Sequence, residues 1–583
     1  MKMNKRNIIL VSLAAILMVP LSCSKNFLTQ TNTFQSTADA TFQKSSDVVY
    51  LVNSIYDTYQ NSDLLKKTMW YWANFETHDF FNWGGDIVWN TYQIGADYSH
   101  LTDLWNNAYI AIARANSAIG IIAKAKEDGI VTSDLAARLT GEVYFLRGMT
   151  YYYLAASFGG VPLELNPVTD GLTPRSSRDS VFNQVVSDMQ QAEVLLQSKT
   201  DLPASELGRA TKGAAFGYEG AARMWLKDYT GALAVYNNPE LNNNYHLLPN
   251  FADVNEFDHQ NNDESLFEVQ FDLPDGGTQD WNGSWQVPGG EIAWIDDFSW
   301  PAEITQEGYD YGNPALWNSY QSGDKRKLLT IIGPGDAVQS PGINAAFGGI
   351  KGYTIVKNGF ANSDAAVKAI YTGSDGNIIN TCGTLTRPWY GVTEDNRTGY
   401  YCAKKWRDPT LTGGGGEGRI FGSQNQILLR YAEVLLSRAE CKIRTGDVPG
   451  GLADIKLVRD RAWGGAAPAV MQDSAKWDGT PGDPITDPLQ MVLSEYRHEL
   501  SGEYSVFFDL CRAGTQETID FIKAANGTVD GSFTPVPNPA PGPTHDGKSH
   551  GLFNTGLTAN HVILPIPQIA ISLNPNLTQN PGY

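Results

Sequence analysis

The sequence predicts a mostly α chain, irregular helix pairs with a large loop-rich, partly β insertion, on three observations. From Asp47 to about Asn238 apolar residues recur at three- and four-residue spacing. From about Leu241 to Gly422 glycine, Asn, Asp, proline and aromatic residues dominate. Helical spacing then returns and gives way to a Pro- and Gly-rich end. These shifts divide the chain into 1–22, an export signal; 23–240, an N-terminal helical part; 241–422, the loop-rich insertion; and 423–583, C-terminal helices and tail.

The signal comes first. Met1 to Asn7 carries Lys2, Lys5 and Arg6, and Ile8 to Pro20 is an almost unbroken apolar run, too short for a membrane span. Ser22 before Cys23 turns this into a lipoprotein signal, with Cys23 as the acylated first residue; an ordinary signal with an incidental cysteine is the alternative. A lipid there would tether the chain to a membrane face without spanning it. About 560 residues remain, more than one core holds. Without the signal, 40 basic side chains face 63 acidic ones, which argues against nucleic acid and anionic lipid as partners. Cys382, Cys402, Cys441 and Cys511 are too few for a disulfide framework. Cys441 and Cys511 read as buried small hydrophobes, while Cys382 and Cys402 could pair.

The elements follow in order. Leu64 to Phe75 reads as a helix with Trp70 and Phe75 in the core. "LTDLWNNAYIAIARANSAIGIIAKAK" puts Leu101, Leu104, Trp105, Ala108, Ile112, Ala115, Ile119 and Ile122 on one face, with Thr102 or Asp103 as cap and Gly129 beyond its end. "SDLAARLTGEVYFLRGMTYYYLAASFGG" is stopped by Gly159, Gly160 and Pro162, and "RDSVFNQVVSDMQQAEVLLQSK" continues the series. In "TKGAAFGYEGAARMWLKDYTGALAVYNN" the small face Ala214, Ala215, Gly217, Gly220, Ala221 resembles a tetratricopeptide helix pair, where small residues allow close approach. No fixed period holds, so the pairs are irregular. Inside the insertion "SLFEVQFDL" and "YTIVKN" read as strands. Helix is expected again at "QNQILLRYAEVLLSRAECKIRTGD", "GGLADIKLVRDRAW" and "PLQMVLSEYRHELSGEYSVFFDLCRAG".

On "LRGMTYYYLAASFGGVPL", "LLRYAEVLLSRAECKIRTGD", "GLADIKLVRDRAW" and above all the terminal "ILPIPQIAISLNPNLTQNPGY", the chain resembles the SusD/RagB family, surface glycan-binding lipoproteins of Bacteroidetes. The resemblance covers nearly the whole length. It implies a SusD-like fold of tetratricopeptide-like pairs plus a loop-rich part. It also implies a non-catalytic role: holding oligosaccharide or polysaccharide as a lid on a SusC-like TonB-dependent transporter in the outer membrane. "SEYRHELSGEYSVFFDL" keeps Arg497, Glu499, Leu500, Glu503, Asp509 and Leu510 of the family pattern, but Tyr504 and Phe507 replace its usual Gly and Arg, so a local packing change is expected. Ser24, Lys25 and Asn26 lack the acidic run associated with surface export, so a surface location rests on the resemblance.

A sugar ring has an apolar C–H face that complements an aromatic ring, and a rim of hydroxyls that amide and carboxylate groups satisfy. Two stretches suit that chemistry. After the first aromatic helix, Trp83 stands between Asn82 and the Gly84-Gly85 turn, with Asp86 next. The adjacent Phe80 and Phe81 cannot both face inward in a regular element, and Trp83 either wedges its loop onto the helices or serves as a platform. The family places its ligand site after this helix. "DWNGSWQVPGGEIAWIDDFSW" is the second stretch, with Trp285 and Trp294 as its first candidates, and Tyr390 in "RPWYG" is a third.

Other chemistry is thin. "GPTHDGKS", Gly542 to Ser549, satisfies the Walker A pattern but neither follows a strand nor opens a helix. Asp296 and Asp297 imitate a glycosidase pair only by adjacency. Asp272, Asp275 and Asp280 could offer oxygens to calcium, yet their spacing departs from an EF-hand loop, so no cofactor is expected. The alternatives to glycan delivery are a secreted glycoside hydrolase, or a SusD-like lid binding a non-glycan nutrient such as peptide.

Overall fold

The computed structural model describes residues 42–82, 86, 88–89, 92–167, 170–271, 310–332, 336, 339–342, 345, 401–405, 412–413, 420–421, 423–472, 484–525 and 557–583. Helix α1 (Ser45–Thr58) buries Val48, Val52 and Ile55, a four-then-three spacing. A π-helical turn at Ser62–Lys66 leads into α2 (Thr68–Phe75), every residue of which is buried. Trp70 and Phe75 lie in the core as their sequence predicts, with ring centres 5.6 Å apart, edge to face. Full burial of such side chains stabilises by about 2 kcal/mol each. Strand β1 (Phe80–Asn82) follows.

Next come α3 (Ser99–Glu127), α4 (Ser133–Phe158), α5 (Arg178–Leu195), α6 (Lys212–Trp225) and α7 (Tyr229–Tyr236), each packed on its predecessor. Seven of the eight apolar positions expected to line α3 are buried and Ile119 is half-buried. Its start differs from expectation. Neither Thr102 nor Asp103 caps it; the helix begins at Ser99, because the N–H groups of Leu101 and Thr102 already reach the Tyr98 carbonyl and draw Leu101 into the core. Thr132, Ser177 and Thr211 cap the following three helices through their hydroxyls. The small face of α6 works by close approach. A Cβ on Gly220 would lie 2.5 Å from the ring of Tyr236 in α7, and one on Gly217 would lie 2.5 Å from Leu429.

The insertion leaves and re-enters at one place. Strand β2 (Ser265–Val269) pairs antiparallel with β8 (Gln426–Arg430), and helix α8 (Tyr431–Arg444), which follows β8, packs on α7. Gln426–Arg430 was expected to be helical. It is a strand because the edge of β2 supplies a ladder partner, a tertiary preference that outweighs local propensity. Between these ends, β3 (Asp310–Gly312) pairs with β1, β4 (Ile331–Ile332) with β5 (Tyr401–Cys402), and β6 (Thr412–Gly413) with β7 (Ile420–Phe421). Then α9 (Val448–Trp463), α10 (Pro488–Leu500), α11 (Val506–Ala513), α12 (Thr515–Ala525) and the short α13 (Gln568–Leu573) complete the chain.

A buried ion network locks the insertion to α10. Arg430 reaches Glu264 at 2.7 Å, Glu499 at 2.6 Å and Glu503 at 2.7 Å, while Arg326 binds Asp324, Glu495 and Glu499. Against the cost of burial, the flanking Arg461, Arg430 and Arg326 hold the Glu499 carboxyl far below its usual range. Tyr504 and Phe507 are both buried: the Tyr504 hydroxyl donates to the Lys66 carbonyl, and Phe507 meets Trp72 edge to face at 4.8 Å. Cys441 is buried and Cys511 half-buried. Cys402 is buried in β5, and its suggested partner Cys382 lies outside the described residues, as do Cys23, "YTIVKN", Asp272, Asp275, Asp280, Asp296, Asp297 and the Gly542–Ser549 stretch. Among the described residues no helix is long and apolar enough to cross a membrane.

Candidate functional site

The site is built outward from α2. Trp70 donates its indole N–H to the Gly502 carbonyl, and Asn74 exchanges hydrogen bonds with Gly502 and Glu503, so the α10–α11 turn clamps the helix. Asp79, just after α2 and fully buried, forms an ion pair with Arg497 at 2.6 Å and accepts from Ser501 at 2.8 Å. The Arg497 and Glu503 of the C-terminal pattern therefore act on the stretch that runs into β1.

β1 carries Asn82 into register with Asp310 of β3. Trp83 follows Asn82 directly, and the Trp-rich 272–309 stretch ends at the residue before Asp310. Paired strands lie about 5 Å apart. The two aromatic stretches singled out in the sequence thus join the described fold at neighbouring positions. β3 also packs against β5, whose Tyr401 closes the stretch holding Tyr390. Asn313, just after β3, donates to the His78 carbonyl at 2.7 Å and its N–H reaches Asp79 O, sealing the base of the junction.

Polar groups fill the floor. The Asn82 amide donates to Asp310 Oδ1 at 2.7 Å, and Asn82 Oδ1 accepts from the Asp86 N–H at 3.2 Å. Asp86 pairs with Lys67 at 2.9 Å and accepts from the Tyr98 hydroxyl. His100 lies 2.6 Å from Asp63 and 3.1 Å from Lys67. Burial pushes the Asp310 carboxyl up to about 7, although the Asn82 amide and Lys67 favour its ionised form. Burial likewise lowers Lys67, partly offset by Asp86.

Asn82 and Asp86, expected to meet sugar hydroxyls, have their side chains turned inward, at 1% and 8% exposure. The reason is register: in β1 Asn82 shares the face of Phe80, which is itself buried. Trp89, whose place the sequence left open, is core. Trp83, Trp285, Trp294 and Tyr390 lie outside the described residues. Sequence reasoning missed Lys67, Tyr98, His100 and Asp310, because the start of α2, the start of α3 and β3 are far apart in the chain and nothing local marks them as neighbours.

Helix pairs interrupted by an insertion, whose ends are tied by a strand pair and an ion network, make a helical scaffold rather than a tandem repeat. The chain belongs to the SusD family: that family's profile matches residues 252–583, and a second, described as starch-binding associating with outer membrane, matches residues 9–226. A SusD-like protein P25 of Formosa agariphila is 22% identical over 569 residues, covering 93% of each chain. A SusD homolog from Bacteroides thetaiotaomicron superposes with a TM-score of 0.67 at 18% identity, over 94% of this chain and 98% of that one. A laminarin binding SusD-like protein does so with a TM-score of 0.62 at 19% identity, over 93% and 100%.

Proposed function

We propose that this chain is a non-catalytic, outer-membrane binding protein for oligosaccharide or polysaccharide, anchored by lipid on Cys23 and delivering its ligand to a SusC-like TonB-dependent transporter. One observation carries the reading: the Asn82–Asp310 register sets the residue before Trp83 beside the residue that follows the Trp285 and Trp294 stretch in the chain. Rings borne on two neighbouring mounts can face the same sugar chain from two sides. Trp83, Trp285, Trp294 and Tyr390 supply stacking surface, while Asn82 and Asp86, on either side of Trp83 in the chain, are held by Asp310 and Lys67. Laminarin binding in a protein of the same fold supports a glycan as the ligand.

Calorimetry against a glycan panel, with Trp83→Ala beside wild type, tests the reading. Loss of about two- to tenfold in affinity is expected, since stacking on one aromatic residue contributes about 0.5–1.5 kcal/mol. Unchanged binding removes Trp83 from the site. New reducing ends in the same incubations, abolished by an Asp or Glu substitution, would make the protein a hydrolase instead.

A further inference from the structure

Asn53, Tyr56 and Gln60 recur at three- and four-residue spacing, which sets them on one face of α1 and of the turn that ends it. That face, the 3₁₀ turn Ala204–Glu206 between α5 and α6, and the far end of β2 surround a cavity of about 280 Å³. The rings of Tyr56 and Phe267, centres 6.5 Å apart and 31° from parallel, form its apolar wall. Gly208 holds a left-handed φ of 93°, and a Cβ there would run into the Gln270 side chain, so turn and strand meet closely. None of these groups belongs to the Asn82–Asp310 junction, although Asp63, three residues beyond Gln60, reaches His100 beside it.

The charged groups around the cavity satisfy one another. Arg209 donates to Glu142 at 2.8 Å and to Asn53 Oδ1 at 3.0 Å, and it pairs with Glu206. Arg138 lies 3.6 Å from Glu142 and 3.4 Å from Glu206. Two guanidinium groups thus balance two carboxylates, which leaves no net charge to attract an ion. Glu268 accepts from the Asn261 N–H at 2.9 Å and from the Asn425 amide at 3.0 Å. Among the described residues, by contrast, Asn53 Nδ2, Gln60 Oε1, Ser205 Oγ and Glu206 Oε1 make no hydrogen bond. They offer a donor, two acceptors and a hydroxyl.

We propose that this cavity is a second saccharide site, distinct from the Asn82–Asp310 junction and sized for one or two sugar rings. The proposal rests on the glycan-binding reading above for the class of ligand. A sugar ring sets its apolar C–H face on Tyr56 and Phe267, while its hydroxyls donate to Gln60 and Glu206, accept from Asn53 and do either with Ser205. The volume falls just below the range of about 300–1,000 Å³ that suits drug-sized ligands, so the occupant is small. Two saccharide sites on one chain hold a polysaccharide more firmly than either alone, because the second contact forms at high effective concentration.

The full chain labelled with 3-fluorotyrosine, its Tyr56 signal assigned with Tyr56→Phe, reports on the cavity directly. The probes are glucose, galactose, mannose, xylose, cellobiose, maltose and laminaribiose. At least one should shift the Tyr56 fluorine signal saturably. Ser205→Trp sets a bulky ring at an exposed position on the cavity wall and should weaken that response by about tenfold or more, with the melting temperature unchanged. Asn53→Asp keeps the acceptor for Arg209 and removes the free donor, so affinity should fall about threefold or more. A Tyr56 signal that no probe moves overturns the proposal, as does a response of equal affinity in Ser205→Trp, which places binding elsewhere. The two readings fail separately. Long glycans that bind in calorimetry while no probe moves Tyr56 leave the glycan-binding reading standing and remove the second site. A probe that moves Tyr56 in wild type and not in Ser205→Trp establishes the cavity even where no long glycan binds.

Discussion

The rings of His78 and Tyr92 stack 4.9 Å apart with 30° between their planes, and both residues hold left-handed backbone, φ 59° and 53°. One lies just before β1 and the other just beyond the 83–91 stretch, so the stack closes that stretch at its base. Tyr92 also stacks on His561 of the C-terminal region at 5.1 Å. Left-handed backbone at non-glycine residues is uncommon and costs about 1 kcal/mol or more each, so packing must hold it.

Tyr92→Ala removes the stack and keeps the strain; Tyr92→Gly removes both. Each should destabilise the fold, Tyr92→Ala by about 3 kcal/mol. The glycine variant should be the more stable of the two by about 1 kcal/mol. Urea unfolding of the pair checks this, and equal stabilities would show that the backbone at 92 carries no strain.

The Asp79–Arg497 pair is buried on both sides, at 0% and 2% side-chain exposure. Removing one partner leaves an uncompensated buried charge, so Asp79→Asn should cost about 3–5 kcal/mol. Because Asp79 leads into β1, the variant should also lose ligand affinity at temperatures where it stays folded. Melting temperature and calorimetry measure the two effects separately.

Glu76 is 1% exposed, and neither carboxylate oxygen has a hydrogen-bond partner among the described residues. Burial pushes its carboxyl well above the ordinary value. The folded state therefore holds a proton that the unfolded chain releases above about pH 4.3. Its contribution is intact below that pH and declines by up to about 1.4 kcal/mol per unit as pH rises toward the folded value. Glu76→Gln should flatten this decline and exceed wild type in melting temperature at pH 8. Parallel pH profiles for the two proteins would contradict it.

Gly220 tests the helix pairing. Gly220→Ala places a methyl group 2.5 Å from the Tyr236 ring and should cost about 1–3 kcal/mol by forcing α6 and α7 apart. Gly120 of α3, which has nothing within 4 Å of such a Cβ, is the control. Its alanine variant should be neutral or stabilising, since alanine restricts the unfolded chain. Circular dichroism melts of both variants settle the comparison.

By itself the sequence determined the helices of 99–236 and 431–513, because their apolar residues repeat at the helical period and local caps and glycines end them. It determined the family through short motifs, and it marked Trp70 and Phe75 as core. It placed "QILLR" in a helix because an apolar run carries no sign of the strand β2 that it pairs with, 160 residues earlier. It also took Asn82 and Asp86 for ligand contacts, because polar residues beside a tryptophan look the same in sequence whether they face solvent or the protein. Only the tertiary structure decided their direction, by pairing Asn82 with Asp310 and Asp86 with Lys67 across gaps that no local pattern spans. It likewise brought His100, Asp63 and Lys67 together and joined the aromatic stretches at one strand pair. Such contacts depend on register and long-range closure, which hydrophobic periodicity does not encode.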